Sequence, residues 1–327
     1  MKLYRMFLFV VAIFLSHTST AANLPQGQEW VSVSAINKVV WAGSSDGHVA
    51  ISSDAGESFE LSKLPTEAKV RQLIVLDDHH GYALTSGVGE LSNLYVTRNG
   101  GFSWRPLYRG AHQEHLRCMA MNPDGEAWVL GDSLDEHWHV VRSNNGKHWN
   151  STRSGFTKRP LANEHSSNSS DSCVRFENNT WLMGTQNAEV ARVMIKEGLS
   201  LRFQVLDTPL TAGPAAGVSA VWPLSPTEFF VAGGSDEHAE LYVYKGSEFS
   251  QIATPALNSA IQVLFQHGEK LYVGNEQAAL VGKLSDARNG QVEWATAIEE
   301  IGVRGFSCGT EQCWLLGTDN QLHTVVP

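Results

Sequence analysis

The sequence predicts an all-β protein: a seven-bladed β-propeller whose blades carry Asp-box hairpins. Three observations lead there. Phe59, Trp104 and Trp149 lie 45 residues apart and each closes the same short motif, Ser/Thr-x-Asp-x-Gly-x-Ser/Thr-Trp/Phe. The period then persists, with Phe203 54 residues past Trp149, Phe249 46 further on and Trp294 another 45. Finally, one apolar strand recurs seven times, as VVWAGS, GYALTSG, EAWVLGD, TWLMGT, EFFVAGG, KLYVGN and QCWLLGT. Short strands at a fixed period of about 40 to 50 residues are the signature of a propeller. The six anchors alone would also fit six blades with a C-terminal extension; the seventh strand copy favours seven.

In chain order, the first element is a leader. Lys2 and Arg5 precede an apolar run over residues 6–15, and small residues follow, with Ser19-x-Ala21 or Thr20-x-Ala22 as the cleavage site. This is the pattern of a secretory signal peptide, too short for a comfortable membrane span. Residues 1–22 are therefore expected to be removed, leaving 23–327 as a single propeller domain, periplasmic or secreted. Their removal takes two positive charges and no acid, so the formal charge moves from −10 to −12. An acidic chain without Lys/Arg blocks argues against nucleic acid as a partner. No other stretch reaches transmembrane length, so the protein is not expected to span a membrane.

Blade one follows, with strands over residues 31–36, 39–43, 48–52 and 58–61 and the first box, Ser52-x-Asp54-x-Gly56-x-Ser58-Phe59. In such a turn the Asp accepts hydrogen bonds from its own backbone, and the Gly takes a positive φ that a Cβ resists. The closing aromatic packs between neighbouring sheets. Blade two, residues 70–107, carries Thr97-x-Asn99-x-Gly101-x-Ser103-Trp104. Blade three, residues 116–152, carries a worn copy, with Asn144, Gly146 and Trp149 in register. All these box residues are assigned structural roles. Residues 150–171 are rich in Ser and Asn without apolar alternation and read as an inserted loop. Blade four covers 173–206, and its turn, Lys196-Glu197-Gly198-Leu199-Ser200, has lost the motif. Blades five and six cover 218–252 and 261–297. Strand-like runs at 303–308, 313–317 and 321–326 make a partial seventh blade, whose fourth strand is expected from around residues 29–31.

Four cysteines remain. Cys308 and Cys313 bracket a hairpin, where a bridge is geometrically easy. Cys118 and Cys173 lie 31 and 30 residues before their blade anchors, on inner strands of adjacent blades. A bridge there depends on their spacing in the fold. No CxxC pair is present, so no metal site is expected from them.

Two groups of polar residues are candidate sites. Arg71, Arg117, Arg175 and Arg304 fall on inner strands, which line the central channel; with Asp132 nearby they can form either a patch for a carboxylate-bearing partner or ion pairs within the blades. The second group holds Asp132, Asp135, Glu136, His137 and His139, with His79, His80, His112 and His115 elsewhere. His137 and His139 alternate along a strand, but no third ligand has a defined spacing, and they read as surface histidines. Sialidases also carry Asp-boxes, yet the Arg-Ile-Pro start is absent. Dinucleotide, flavin and haem-attachment patterns are absent too. No cofactor and no enzymatic activity are expected.

Beyond the boxes, the order of several stretches resembles the photosystem II stability/assembly factor family. They are Arg71-Gln72-Leu73, Leu84-Thr85-Ser86-Gly87, Leu94-Tyr95, Gly131-Asp132-Ser133, Thr208-Pro209-Leu210, Gly213 and Ala216-Gly217. The resemblance covers residues 29–327 and weakens in blades three to six. It implies a seven-bladed propeller, an assembly or scaffolding role on the lumenal or periplasmic side of a membrane, and an arginine-rich partner face. The resulting expectation is a non-catalytic scaffold for a membrane-protein complex, a monomer because a closed ring leaves few free edges. A glycan-binding or sialidase-like propeller is the alternative.

Overall fold

A computed structural model describes residues 21–167, 172–254, 256–310 and 312–325. Residues 1–20, most of the expected leader, lie outside it, as do 168–171 of the inserted segment. The chain forms seven four-stranded antiparallel sheets. Blade one is built from Trp30–Ile36, Val39–Ser44, His48–Ser52 and Glu60–Lys63, in that order from the channel outward. Blades two to six repeat this consecutive order, with inner strands Lys69–Val75, Leu116–Met121, Val174–Glu177, Gly217–Ser225 and Val263–His267. Blade seven takes Val303–Cys308, Cys313–Gly317 and Leu322–Val325 from the C-terminal end and Ala21–Ala22 from the N-terminal end. The closing strand is thus Ala21–Ala22, paired as Ala21 with His323 and Ala22 with Leu322. The expected strand at residues 29–31 instead runs into the inner strand of blade one, because the Trp30 ring is fully buried there.

The second strand of each blade explains its own monotony. It is buried along almost its whole length in every blade. A strand covered on both faces by neighbouring sheets reads as a continuous apolar run, without the alternation of a half-exposed strand. The closing Gly has a packing reason as well. A Cβ on Gly43, Gly184 or Gly274 would fall 2.6, 2.6 or 2.4 Å from Val70, Val218 or Val303, each on the inner strand of the next blade. Seven apolar clusters result, each joining two neighbouring blades. The periodic aromatics serve these joints. Trp104 of blade two meets Trp41 of blade one edge-on at 5.8 Å, and its indole N–H donates to Ser62 Oγ at 2.9 Å.

The turns over residues 52–59 and 97–104 share one hydrogen-bond pattern. Ser52 Oγ accepts from Gly56 N at 2.9 Å and donates to Asp54, whose carboxylate accepts from Ser58 N at 3.0 Å. Thr97, Gly101, Asn99 and Ser103 repeat these contacts at 2.9 and 3.0 Å. In blade three the register differs from expectation. Ser143 and Asn145 take these roles, Asn145 Oδ1 accepting from Lys147 N at 2.9 Å, while Asn144 accepts from Arg142 at 2.7 Å. The turn is one residue shorter between its Asn and Trp149, so alignment on the tryptophan displaces the acceptor by one. Blade six departs differently, with a short helix, Leu284–Arg288, between its third and fourth strands, burying Leu284 and Ala287. Among the described residues no helix is long and apolar enough to cross a membrane.

Both cysteine pairs are bridged. Cys308–Cys313 closes the first hairpin of blade seven, and Cys118–Cys173, with Cα atoms 6.0 Å apart, ties blade three to blade four.

Candidate functional site

Five inner strands carry a β-bulge next to the pairing with the end of the second strand, at the same place in four and offset by one residue in blade one. The extra residue is Val31 in blade one, Arg71 in blade two, Arg117 in blade three, Ser219 in blade five and Arg304 in blade seven. A bulge re-aims the side chain it carries. Three of the four arginines singled out from sequence therefore occupy equivalent positions at one mouth of the channel, on the arc of blades seven, one, two and three.

Arg175 does not belong with them. The inner strand of blade four pairs without a bulge, Val174 with Met183 and Arg175 with Leu182, which sets Arg175 deeper along the channel. Its guanidinium lies 4.7 Å from the Trp222 ring centre and 5.2 Å from that of Phe265. It lines a cavity of about 250 Å³ at the other end, with Ser34, Gln72, Met119 and Glu177. Burial pushes the Glu177 carboxyl up, and Arg175 opposes it.

At the arginine mouth, charges of both signs interleave. Arg117 makes a bidentate pair with Asp132, Nη2 donating to Oδ2 at 2.8 Å and Nε to Oδ1. Asp132 thus neutralises an arginine and also faces His115 Nδ1 at 3.6 Å. Arg304 lies 3.3 Å from Glu29 and donates to Trp30 O at 3.0 Å. Arg71 is buried. Lys69, exposed at the start of its strand, completes the arc. Loss of hydration and then the charge of Arg71 push its ammonium below the usual lysine range; Arg304 adds to this, while Glu29 and Glu276 oppose it. Three cations share one neighbourhood there. Lys69 escaped the sequence reading, although Lys69-Val70-Arg71 places two cations two residues apart on one inner strand.

Of the histidines expected at the surface, His79 and His112 are exposed, and His139 departs from that expectation. His137 and His139 both precede the third strand of blade three, which begins at Val140. His139 is buried, with Nε2 3.0 Å from Glu114, and burial pushes its imidazole below the usual range. His137 contacts the carbonyl of Asp135, and Asp135 itself faces Arg153. His79 is exposed beside Asp78, His80 is half-buried, and His112 takes a positive φ of 52°. Among the described residues, only Asp77–Asp78–His79 and His267–Cys308–Cys313 bring three ligand-type groups together, and the sulfurs of the second are bridged.

Sequence reasoning also missed a buried ion pair. Glu164, fully buried in the inserted segment, is held by Arg192 of blade four, with Nε donating at 3.0 Å, and by Thr185 at 2.6 Å. Arg192 also donates to Arg159 O at 3.0 Å and lies 5.5 Å from the Trp138 ring centre.

No protein-family model matches this sequence, and no curated protein matches it. Many solved structures share its shape. A structure of YCF48 bound to D1 peptide superposes with a TM-score of 0.63 at 13% identity, over 94% of this chain and 97% of that one. YCF48 from Cyanidioschyzon merolae gives 0.62 at 11% identity, over 94% and 98%. The Pan2 WD40 domain of Neurospora crassa gives 0.61 at 13%, over 91% and 88%. Likeness at such low identity establishes the architecture alone: this chain folds as a seven-bladed β-propeller.

Proposed function

We propose that the protein is an exported, non-catalytic scaffold that receives a carboxylate-bearing segment of a membrane-protein subunit at the arginine mouth of its channel, and so supports assembly or stability of that complex. The carrying observation is the placement of Arg71, Arg117 and Arg304 on equivalent bulges of one contiguous arc, with Lys69 beside them. A mouth where cations converge on an otherwise acidic chain attracts a carboxylate and fixes its approach. The YCF48 structure with a bound D1 peptide has this fold, which supports a peptide-binding reading. The sequence leader supports export.

In-cell crosslinking followed by capture and mass spectrometry tests this. Lys69→Glu with Arg304→Glu alters two accessible side chains and leaves the buried Arg71 in place. The expected outcome is loss of a specific membrane-protein partner, by about tenfold or more given about 1.5–3 kcal/mol for a charge-assisted hydrogen bond, with the melting temperature nearly unchanged. Undiminished capture by that variant would sink the mouth as the binding site.

A further inference from the structure

Away from the channel, on the outer rim between blades three and four, a second surface has a different character. The turn between the strands Arg192–Glu197 and Gln204–Asp207 carries Leu199 and Leu201, 100% and 93% exposed. A single exposed leucine is ordinary. Two fully exposed within three residues, at the turn whose motif is lost, have no folding role to explain them. Beside them lies a cavity of about 290 Å³ walled by Trp138, Arg153, Phe156, Lys158, Arg159 and Arg202, with no carboxylate in its lining. The two features are continuous. Arg202 follows Leu201 directly, and Phe203 N donates to Gly155 O at 2.7 Å, which holds the cavity wall against the turn. Asp135 lies 3.6 Å from Arg153 and Asp207 2.9 Å from Lys158. Among the described residues, Arg159 and Arg202 have no carboxylate within ion-pair distance, and both are exposed.

We propose that this rim docks on an anionic phospholipid surface, with Leu199 and Leu201 entering the boundary between headgroups and acyl chains and Arg159 and Arg202 holding lipid phosphates. Apolar side chains flanked by cations are what binds such an interface, where buried apolar area and attraction to anionic headgroups add together. A bilayer accepts leucines of any spacing, whereas a protein partner needs pockets matched to them. The net charge of −10 repels an anionic membrane from most of the molecule. A local cationic rim therefore also sets orientation, bringing the propeller down edge-on. This inference is independent of the channel reading, since the two surfaces share no residue.

The test is co-sedimentation of the purified protein with phosphatidylglycerol–phosphatidylcholine vesicles, against phosphatidylcholine alone. The wild type is expected to partition onto the anionic vesicles only, and less as salt rises. Arg159→Glu with Arg202→Glu should lower the partition by at least about fivefold per residue, from about 1 kcal/mol per cation near the surface. Leu199→Ser with Leu201→Ser should weaken it by about tenfold, through lost apolar burial. All four side chains are exposed, so circular dichroism should show unchanged folding. Absence of wild-type partition, or equal partition by either variant, overturns the proposal. So does capture of an acidic protein through these residues without lipid binding.

Discussion

At the residue scale, two turns with one geometry differ by a charge. Asp54 accepts from Ser52, from Ser58 N and from Ser58 Oγ, and these bonds hold its carboxyl at about 2, below the usual 3.8. Asn99 takes the same place without a titrating group, its Oδ1 accepting from Ser103 N and its Nδ2 donating to Ser103 Oγ, both at 3.0 Å. A carboxyl lowered on folding contributes stability that is present above its unfolded value and is lost as pH falls through the folded one. The blade-one turn should therefore weaken between pH 3.8 and about pH 2, while the blade-two turn should not. Melting temperatures of the wild type and Asp54→Asn, followed across that window, are expected to converge as pH falls; parallel curves would show that the carboxylate bonds add nothing. The same scale shows where sequence reading stops. The hydroxyl–acceptor–glycine pattern was legible in blades one and two because every position matched. In blade three the turn is one residue shorter, so spacing from Trp149 selects Asn144, whereas the bonds from Lys147 N and His148 N make Asn145 the acceptor.

At the element scale, the blades were legible and the insert was not. The second strands announce themselves because both faces are covered and nearly every position must be apolar. Residues 153–167 lack alternation, yet they bury Glu164 against blade four and Ser166, whose Oγ donates to Leu130 O at 3.3 Å, against blade three. Their order comes from polar contacts to Thr185 and Arg192, which no local pattern reveals. Arginines on inner strands were legible too, but not their division. The bulge that groups Arg71, Arg117 and Arg304, and its absence at Arg175, is a matter of register rather than residue type. The Glu164–Arg192 pair gives the insert its anchor. Removing one member of a buried pair strands the other charge, at about 3–5 kcal/mol. Glu164→Ala should lower the urea midpoint accordingly and open residues 153–167 to protease before the rest of the chain. A variant that keeps both the midpoint and the protection would show that the insert is held by its apolar contacts, chiefly Phe156 stacked on Phe203 at 5.4 Å.

At the scale of the whole molecule, the ring must be closed by its two ends, and two separate devices do this. One is the strand Ala21–Ala22 on the edge of blade seven. The other is a clasp between the first and last blades: Trp30 N donates to Asn320 Oδ1 at 2.6 Å, and Asn320 Nδ2 donates to Gln28 O at 2.8 Å. Leu24 and the Trp30 ring are buried in the joint between these blades, with Trp314, Leu316 and Leu322. The proposed export would bear on these devices differently, because cleavage after Ala22 would remove the strand and spare the clasp. A chain beginning at Asn23 is expected to lose only about 1–2 kcal/mol, the net worth of one or two ladder hydrogen bonds. It should unfold in a single transition, with faster amide exchange confined to residues 322–325. Asn320→Ala should cost more, about 2–3 kcal/mol, because it removes two bonds that cross the seam. It also puts Ala at a φ of 67°, a left-handed conformation that Asn tolerates better because its short polar side chain can hydrogen-bond locally. The reverse order of these two effects would make Ala21–Ala22 the true latch. A propeller latched by those residues must keep them after any processing, and the mass of the purified mature protein would then show an N-terminus at or before Ala21.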